Sequence, residues 1–322
     1  MLKIGDLEFK HGLMLAPMAG FSDYAMRRVC HEWGAEYSVT EMVSAKAVVY
    51  GDKKTARLAA ITEDEGPVAL QIFGSEPSVM AEAAATLATP AEGAAPVAID
   101  INMGCPVNKI FSNGEGSALM RRPELIGDIV RATVGAQGLP VTVKLRLGVD
   151  GGHINVVECA LAAEEAGASA ICVHGRTRVE MYSGIANMEE IAKVKQSLHI
   201  PVIANGDITS GAAALAALRQ TGADGVAIGR GAIGNPFVFA EIAAALEGRE
   251  FVQPDTRTAA RVALYQLSLA VAEKGEHAAV LEARKQIALY LRSFRGASRL
   301  RAAINTATTY ADVERAFGEI FD

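Results

Sequence analysis

The sequence has few cysteines, the residues that small secreted proteins use for disulfide bonds. It contains only four cysteines in 322 residues, at Cys30, Cys105, Cys159 and Cys172, and none of them forms a CxxC pair. That spacing argues against the common zinc and dithiol motifs, and a chain of this length needs no disulfide framework. We therefore expect a cytoplasmic protein without a metal site.

Long apolar runs and a strong positive charge are also missing. No stretch of about 18 uncharged apolar residues occurs, so no membrane helix is expected. The opening segment MLKIGDLEFKHG lacks the apolar core of a signal peptide. The formal net charge of -6 argues against binding nucleic acid through bulk charge, although a local basic patch is compatible with it. We expect no membrane partner, and no stable protein partner is implied.

What the sequence does have is a repeated alternation of short apolar runs and longer amphipathic segments. Apolar runs without strict alternation are typical of strands buried on both faces, as in parallel sheets. Eight such runs occur: LMLAP (13–17), YSVTE (37–41), VALQIF (68–73), VAIDIN (97–102), VTVKLR (141–146), AICVHG (170–175), PVIANG (201–206) and GVAIGR (225–230). Eight strand and helix units in about 240 residues predict an α/β fold of the (β/α)8 TIM-barrel type rather than an open, doubly wound sheet.

The C-terminal part has a different pattern, with no strand-like run after residue 250. Three segments there have helical periodicity, separated by Gly275 and Gly296: 257–274, 277–294 and 309–321. We therefore predict a TIM-barrel catalytic domain over residues 1–248 and a small C-terminal helical domain over residues 249–322. Within 276–301, six Lys or Arg stand against two acids, which is either a solvated helix face or a nucleic-acid contact.

Polar side chains cluster where the apolar runs end, which is where barrel enzymes have their active sites. These residues are Gln71, Asn102, Lys144, Arg146, His174 and Asn205. Lys144 and Arg146 share a strand face, and an unpaired cation there is costly. An internal salt bridge to Asp100 or Glu41, or a bound anionic cofactor, would stabilise them. His174 alone is typical of a buried core histidine, but beside Lys144 it indicates a ligand contact.

Two glycine-rich turns follow the seventh and eighth runs, IANGDI (203–208) and AIGRGA (227–232). Glycines there make tight turns, but they also let backbone N–H groups and a following helix N-terminus approach an anion. Because the two turns lie on adjacent strands and Arg230 adds a cation, we favour a phosphate site.

Cys105 differs from the other three cysteines, which lie inside apolar patterns and resemble buried packing residues. It stands in DINMGCP (100–106), beyond a strand end, and is followed by VNKIFSNGEGSAL with the breakers Ser112, Asn113 and Gly114. We expect a mobile loop that carries a reactive thiol over the barrel mouth.

Seven motifs, in this order, resemble those of the flavin-dependent tRNA-dihydrouridine synthases: LAPMAG, LQIFG, DINMGCP, VTVKLRLG, VHGRTR, IANGDI and AIGRGAIGNP. The resemblance extends from Leu13 to ARKQIALYLRSFRG, and the MYSG stretch (181–184) is nearest to the general bacterial type. It implies an enzyme that reduces specific uridines in tRNA to 5,6-dihydrouridine, with FMN as cofactor, NADPH as electron donor and tRNA as partner.

The resemblance also implies roles for individual residues. Cys105 would be the catalytic proton donor, which suits a thiol that is mostly protonated at pH 7. Cofactor contacts are expected at Pro17, Met18, Gln71, Lys144, His174, Asn205, Gly206, Asp207, Gly229 and Arg230. Substrate contacts are expected at Asn102, which would orient the uracil, and at Arg146, Arg176, Arg178, Arg292, Arg295 and Arg299. Gln286 stands where the family often has histidine, which puts a secondary tRNA contact in doubt.

Two other interpretations stay open. The first is an FMN barrel oxidoreductase that acts on a small molecule such as dihydroorotate, which would not need a basic helical domain. The second is a catalytically silent tRNA-binding protein on a barrel scaffold, which would not need a flavin. Binding to bulk tRNA and a flavin absorbance separate the three interpretations.

Overall fold

The computed structural model describes residues 1–291 and 297–321. The strands are β1 (Leu2–Ile4), β2 (Leu7–Phe9), β3 (Leu13–Leu15), β4 (Tyr37–Val39), β5 (Val43–Ser44), β6 (Val68–Phe73), β7 (Ala98–Asn102), β8 (Val141–Arg146), β9 (Ala170–His174), β10 (Val202–Asn205) and β11 (Gly225–Ile228). The α-helices are α1 (Tyr24–Glu32), α2 (Ala45–Val49), α3 (Lys53–Leu58), α4 (Pro77–Ala88), α5 (Asn108–Ser112), α6 (Pro123–Ala136), α7 (Val156–Glu165), α8 (Met188–Ser197), α9 (Gly211–Thr221), α10 (Val238–Leu246), α11 (Thr256–Lys274), α12 (Glu276–Ala283), α13 (Ala297–Thr306) and α14 (Tyr310–Phe321). Short 3₁₀ helices cover Glu63–Glu65, Gly116–Arg121, Arg230–Ala232 and Ile287–Leu291.

Eight of the strands form a closed parallel barrel. Their order around it is β3, β4, β6, β7, β8, β9, β10 and β11, and β11 pairs with β3 to close the ring. Each of the eight apolar runs in the sequence contains one of these strands, so the TIM-barrel prediction is confirmed. The strands are apolar on both faces because one side packs on the surrounding helices and the other fills the barrel.

The first two strands form an antiparallel hairpin that lies outside the barrel sheet. Its side chains Leu2, Ile4 and Phe9 are buried and cluster with inward-facing residues such as Met14 and Ala170, near the amino ends of the barrel strands. The hairpin therefore covers the amino end of the barrel, and the polar residues collect at the opposite end.

The C-terminal helices build a core of their own. Leu267, Val280, Leu300 and Phe317 are buried in it. The sequence predicted α11 and α14 well, but the second predicted segment divides into α12 and the 3₁₀ helix Ile287–Leu291, and α13 was missed. The proposed domain boundary after residue 248 falls between α10 and α11 and stays a prediction. No helix in the described parts of the chain is long and apolar enough to cross a membrane.

The helical region meets the barrel through close contacts. Gly234 has a φ of 65°, and a Cβ built on it would lie 2.6 Å from the carbonyl carbon of Leu289, so the two backbones touch there. Lys274 Nζ donates to Asp23 Oδ2 at 2.6 Å and to Glu282 Oε2 at 2.8 Å. Asp23 caps α1 of the barrel and Glu282 belongs to α12, so this lysine links the two parts.

Candidate active site at the barrel mouth

The register of the sheet brings the expected polar residues side by side at the carboxyl ends of neighbouring strands. Asn102 pairs with Lys144, Arg146 pairs with His174, and His174 pairs with Asn205. Gln71 lies one layer deeper, beside Asp100. The side chains that the sequence predicted from separate runs therefore form one continuous arc around the barrel mouth.

A hydrogen-bond chain leads from the barrel interior to the turn that holds Cys105. Gln71 Nε2 donates to Asp100 Oδ2 at 2.7 Å, and Asn102 Nδ2 donates to Gln71 Oε1 at 2.9 Å. Asn102 Oδ1 then accepts the backbone N–H groups of Gly104 at 3.2 Å and of Cys105 at 2.9 Å. The amide of Asn102 thus holds the Gly-Cys turn against the end of β7.

Asp100 lies at the deep end of this chain and was not predicted as a site residue. Its side chain is buried, and burial raises its pKa from 3.8 to about 6, against the hydrogen bonds from Gln71 and Thr142. Thr142 Oγ1 donates to the second carboxylate oxygen at 2.5 Å. At pH 7 the group is therefore mostly ionised and accepts hydrogen bonds from two sides.

The Cys105 thiol is the most accessible of the four, with 8% exposure against 0 to 3% for the others. Burial raises its pKa, while the Val107 N–H group and the charge of Arg146 act in the opposite direction. The thiol is therefore protonated at neutral pH. The segment that we expected to be a mobile loop differs, because it contains α5 and the 3₁₀ helix Gly116–Arg121. Ser117 Oγ of that helix donates to the Cys105 carbonyl at 2.7 Å.

Lys144 reaches across the mouth to the end of β10. Its Nζ donates to Asn205 Oδ1 at 3.1 Å, and Asn205 Nδ2 donates to the Ala227 carbonyl at 2.7 Å, which fixes the amide. Burial lowers the pKa of Lys144. In the described part of the chain no carboxylate lies within ion-pair distance of it, so of the two alternatives the internal salt bridge from Lys144 to Asp100 or Glu41 is not formed.

His174 is buried among cationic side chains. Burial lowers its pKa from 6.5 to about 2, and the charges of Lys144, Arg146 and Arg176 act in the same direction. Arg176 Nη1 lies 3.4 Å from His174 Nε2. Because a guanidinium only donates, Nε2 must accept and the proton must be on Nδ1. His174 is therefore a neutral imidazole with a fixed tautomer.

Arg146 is buried and directed at backbone oxygens. Its Nε donates to the Gly104 carbonyl at 2.8 Å, and its Nη1 donates to the carbonyls of Thr177 and Met181 at 3.0 and 2.8 Å. It therefore fastens the loop after β9, residues 175–187, called the β9 loop below, to the Cys105 turn. Among the described residues, Nη2 of Arg146 has no protein acceptor, so it is the part of the guanidinium that could still reach a phosphate.

Arg176 is 1% exposed and, like Arg146, binds backbone carbonyls of the β9 loop. It donates to the Ser183 and Gly184 carbonyls at 2.8 Å each, and its Nη2 lies 2.8 Å from both carboxylate oxygens of Asp207. Asp207 Oδ2 also accepts the Ala186 N–H at 2.8 Å. The carboxylate of Asp207 is thus used up within the protein, which leaves its backbone N–H as the group that can face a phosphate.

Strain is concentrated in the same two loops. Met181 has a φ of 51° and Asp207 a φ of 53°, and among the described residues these are the only non-glycine residues with positive φ. Each has a backbone or side-chain oxygen held by Arg146 or Arg176. Such conformations cost free energy and are typical of functional sites.

The two glycine-rich turns have unused backbone donors. Within the described chain, the N–H groups of Gly206, Asp207, Gly229 and Arg230 donate to no protein acceptor. A Cβ at Gly229 would meet Met18 Sδ at 3.5 Å and the Ala16 Cβ at 3.9 Å, so Met18 and Ala16 pack beside this turn. Met18 therefore lies beside the Gly229 turn, and Pro17 precedes it in the segment that follows β3.

The helix N-terminus that we expected beside the phosphate is already occupied. The N–H of Gly211, at the start of α9, donates to Glu241 Oε1 at 2.8 Å. A second anion there would be repelled by this carboxylate. The free N–H groups are therefore the backbone anion donors at these turns, and Arg230, whose Nη2 also lies 3.5 Å from Asp207 Oδ1, adds a half-exposed guanidinium.

Tyr182 is a site residue that the sequence analysis missed. Its ring is half exposed and lies 5.0 Å from Arg230 Cζ and 5.6 Å from Arg146 Cζ. It belongs to the MYSG stretch, which we had used only to compare family types. An aromatic residue on a loop rich in arginine was the available signal.

Two of the remaining predicted substrate residues, Arg178 and Arg299, belong to the described chain. Arg178 stacks on Phe111 of α5, with Cζ 4.1 Å from the ring, and its Nη2 donates to Asn108 Oδ1. Arg299 lies on α13, and Arg292 and Arg295 fall outside the described residues.

Gln286 is buried and accepts a hydrogen bond from Gln266 Nε2 at 2.8 Å. Its difference from the family's histidine therefore concerns the packing of the helical core, and its side chain does not face a surface on which tRNA could lie.

A closed barrel with a buried polar mouth, a thiol on one strand end and free anion donors on two others defines a barrel enzyme. The family model for dihydrouridine synthase (Dus) matches residues 14–321. The chain therefore belongs to the dihydrouridine synthase family, and it is an oxidoreductase of that type.

Similar proteins support this assignment. The chain is 38% identical to the probable tRNA-dihydrouridine synthase of Rickettsia conorii, over 100% of this chain and 96% of the relative. It is 39% identical to tRNA-dihydrouridine synthase B of Pseudomonas putida, over 99% and 95% of the two chains. A solved mutant of (S)-mandelate dehydrogenase is 17% identical over 74% of this chain and 73% of that one, and its TM-score of 0.46 is too low to bear on function.

Proposed function

We propose that this protein reduces specific uridines in tRNA to 5,6-dihydrouridine, with FMN as cofactor, NADPH as electron donor and Cys105 as proton donor. The observation that carries the proposal is the Cys105 thiol, held at the barrel mouth by Asn102. Family membership and the names of the relatives, which are tRNA-dihydrouridine synthases, support the reaction and its substrate.

The hydrogen-bond donors at the mouth fit FMN. The free N–H groups of Gly206, Asp207, Gly229 and Arg230 would hold its phosphate, which is the geometry in which backbone amides bind anions. The Arg230 side chain, 53% exposed, would add a cation. Pro17 and Met18 would line the ring. When bound, FMN supplies the hydride that is added to uracil.

Lys144 and His174 would hold the electron-rich edge of the flavin ring. Lys144 uses one of its hydrogens on Asn205 and has the others left to donate. His174 has a proton on Nδ1, away from Arg176. Gln71 would contribute one amide hydrogen, because Asp100 uses the other. A bound electron-rich ring would also offset the burial that lowers the pKa of Lys144.

Cys105 would deliver a proton to C5 of the uracil. Its thiol has the proton available, because burial raises its pKa. The thiolate left behind would lie near the positive charge of Arg146, which opposes the cost of burying it. Solvent would then return the proton, since the thiol retains some exposure.

Asn102 would orient the base with its remaining amide hydrogen. Its Oδ1 is used by the Gly104 and Cys105 N–H groups, and one hydrogen of Nδ2 is used by Gln71. The second hydrogen is free to donate to a uracil carbonyl. Because the target base lies in folded tRNA, it would have to leave its stack to reach this group.

The tRNA backbone would lie across the outer arginines. We assign phosphate contacts to Arg178, to Arg299 and to Arg292 and Arg295. Arg146 and Arg176 instead shape the site, because their guanidinium groups hold the β9 loop.

A single-turnover experiment tests the proposal. The purified protein is reduced with NADPH without oxygen and then mixed with unmodified tRNA, while flavin absorbance near 450 nm is followed. We expect tRNA to restore the oxidised flavin and to gain dihydrouridine. Fully modified tRNA is the matched control and should leave the flavin reduced. Oxidation by orotate but not by tRNA would instead establish the small-molecule oxidoreductase.

A further inference from the structure

The hydrogen-bond chain beneath Cys105 can run in only one direction. The backbone N–H groups of Gly104 and Cys105 only donate, so Oδ1 of Asn102 must face them. Nδ2 of Asn102 then faces Gln71, whose oxygen has to accept. Nε2 of Gln71 is left to donate downward, so the chain requires an acceptor at its deep end, and the residue found there is Asp100.

We propose that Asp100 is a positioning residue for Cys105, because its carboxylate fixes the orientation of both amides and so holds the Gly-Cys turn. An ionised carboxylate has no hydrogen to donate, so it accepts from Gln71 in one orientation only. Asp100 and Asn102 are two residues apart on β7 and therefore face the barrel interior together. The role in the reaction rests on the proposed function of Cys105, whereas the orientation of the chain does not.

A double-mutant cycle tests the orientation. In Asn102→Asp, carboxylates stand on both sides of the Gln71 amide. Gln71 can donate to only one of them, so its oxygen is left facing the other carboxylate without a hydrogen bond. Adding Asp100→Asn restores the hydrogen bonds with the Gln71 amide turned over. The new amide at position 100 can donate to Gln71 Oε1, and Gln71 Nε2 can donate to the new carboxylate at position 102. That carboxylate can still accept the two backbone N–H groups. Positions 100 and 102 are then coupled through Gln71.

The measurement is the rate at which iodoacetamide alkylates Cys105 in the purified flavoprotein, read by mass spectrometry. Cys30, Cys159 and Cys172 serve as internal controls, because they are almost completely buried. We expect faster alkylation in Asn102→Asp and recovery towards the wild-type rate in the double variant, with a coupling on the order of tenfold, as is usual for groups in one hydrogen-bond network. The coupling should vanish in a Gln71→Met background.

Two results would overturn the proposal. One is additivity: the fold-change in the alkylation rate of the double variant equals the product of the fold-changes of the two single variants. The other is an unfolded or unprotected double variant. If Asn102→Asp alone does not fold, a folded double variant with a protected Cys105 supports the proposal. Thr142→Val is the matched control, because it removes a donor to Asp100 without changing the orientation above it.

A kinetic test connects the chain to the reaction. In Asp100→Asn, which relaxes the orientation, oxidation of the reduced flavin by saturating tRNA should slow severalfold with little change in KM. In a Cys105→Ala background the same substitution should have no further effect. An equal effect in both backgrounds would overturn the positioning role. Failure of the wild-type enzyme to react with tRNA would overturn the proposed function alone, since alkylation does not depend on it.

Discussion

At the scale of single residues, substitution of Cys105 tests the proposed mechanism most directly. We expect Cys105→Ala to keep its flavin and to be reduced by NADPH normally, while flavin oxidation by tRNA slows by roughly two to four orders of magnitude, the usual value of a positioned general acid. Cys105→Ser should also be slow, because a hydroxyl is a weaker acid. Cys30→Ala is the control, since Cys30 is buried in α1. A normal oxidation rate in Cys105→Ala would require another proton source.

His174 supplies a prediction about pH and stability. Its pKa is 6.5 when unfolded and about 2 when folded, so between these values the unfolded chain binds the extra proton. Stability is therefore lost as the pH falls below 6.5, by about 2 kcal/mol at pH 5 for this one group.

We expect wild-type protein to lose more stability than His174→Gln between pH 7.5 and 5, as measured by urea unfolding of the flavin-free proteins. Asp100 acts with the opposite sign, because its folded pKa is raised to about 6, but it is present in both proteins. Equal pH dependence of the two proteins would mean that His174 titrates normally in the fold.

At the scale of elements, the basic residues of the C-terminal region should govern the salt dependence of tRNA binding. Changing Arg292, Arg295 and Arg299 to Ala should weaken binding and lower the slope of log K against log salt by about 0.9 or less for each lost phosphate contact. Flavin reduction should not change. Arg219→Ala is a charge control, because Arg219 is exposed in the last turn of α9, at the other end of the barrel. An unchanged slope would mean that these arginines only solvate a helix.

The strands and helices also show which parts of the fold can be predicted from the sequence. The barrel strands could be predicted because burial on both faces leaves a continuous apolar run. The hairpin of β1 and β2 was missed because each strand has three residues, too few for a periodic pattern. The helix α13 was missed because its N-terminal part is rich in charge, and its apolar stripe is short.

For the site, residue types at strand ends predicted which side chains meet, since parallel strands place their carboxyl ends together. The sequence could not show that Arg146 and Arg176 bind loop carbonyls, because a backbone acceptor has no sequence signature. For the same reason it could not show that Glu241 occupies the α9 N-terminus, a contact between residues 30 apart. The role of Asp100 depends on the direction of hydrogen bonds, which side-chain types alone do not fix.

At the scale of the whole molecule, we expect the purified protein to be yellow and to release FMN on heating, identified by chromatography. FMN should raise the melting temperature of the stripped protein more than riboflavin does, because only FMN engages the N–H groups after β10 and β11. Arg230→Ala should reduce this difference, whereas Arg219→Ala should not. Recovery of FAD, or equal stabilisation by riboflavin, would contradict the phosphate site.

The contact of Gly234 with Leu289 has a consequence for which uridine is reduced. Because the backbones touch there and Lys274 bonds to both parts, the helical region cannot swivel on the barrel without breaking these contacts. The separation between Arg299 on α13 and the barrel mouth is then a fixed length, set when the chain folds. The distance between a phosphate contact on α13 and the reacting uracil would then also be fixed. If the C-terminal region binds tRNA phosphates, as we propose, the modified uridine would be the one that lies at that distance along the tRNA surface, and the RNA would supply the bending that the reaction requires.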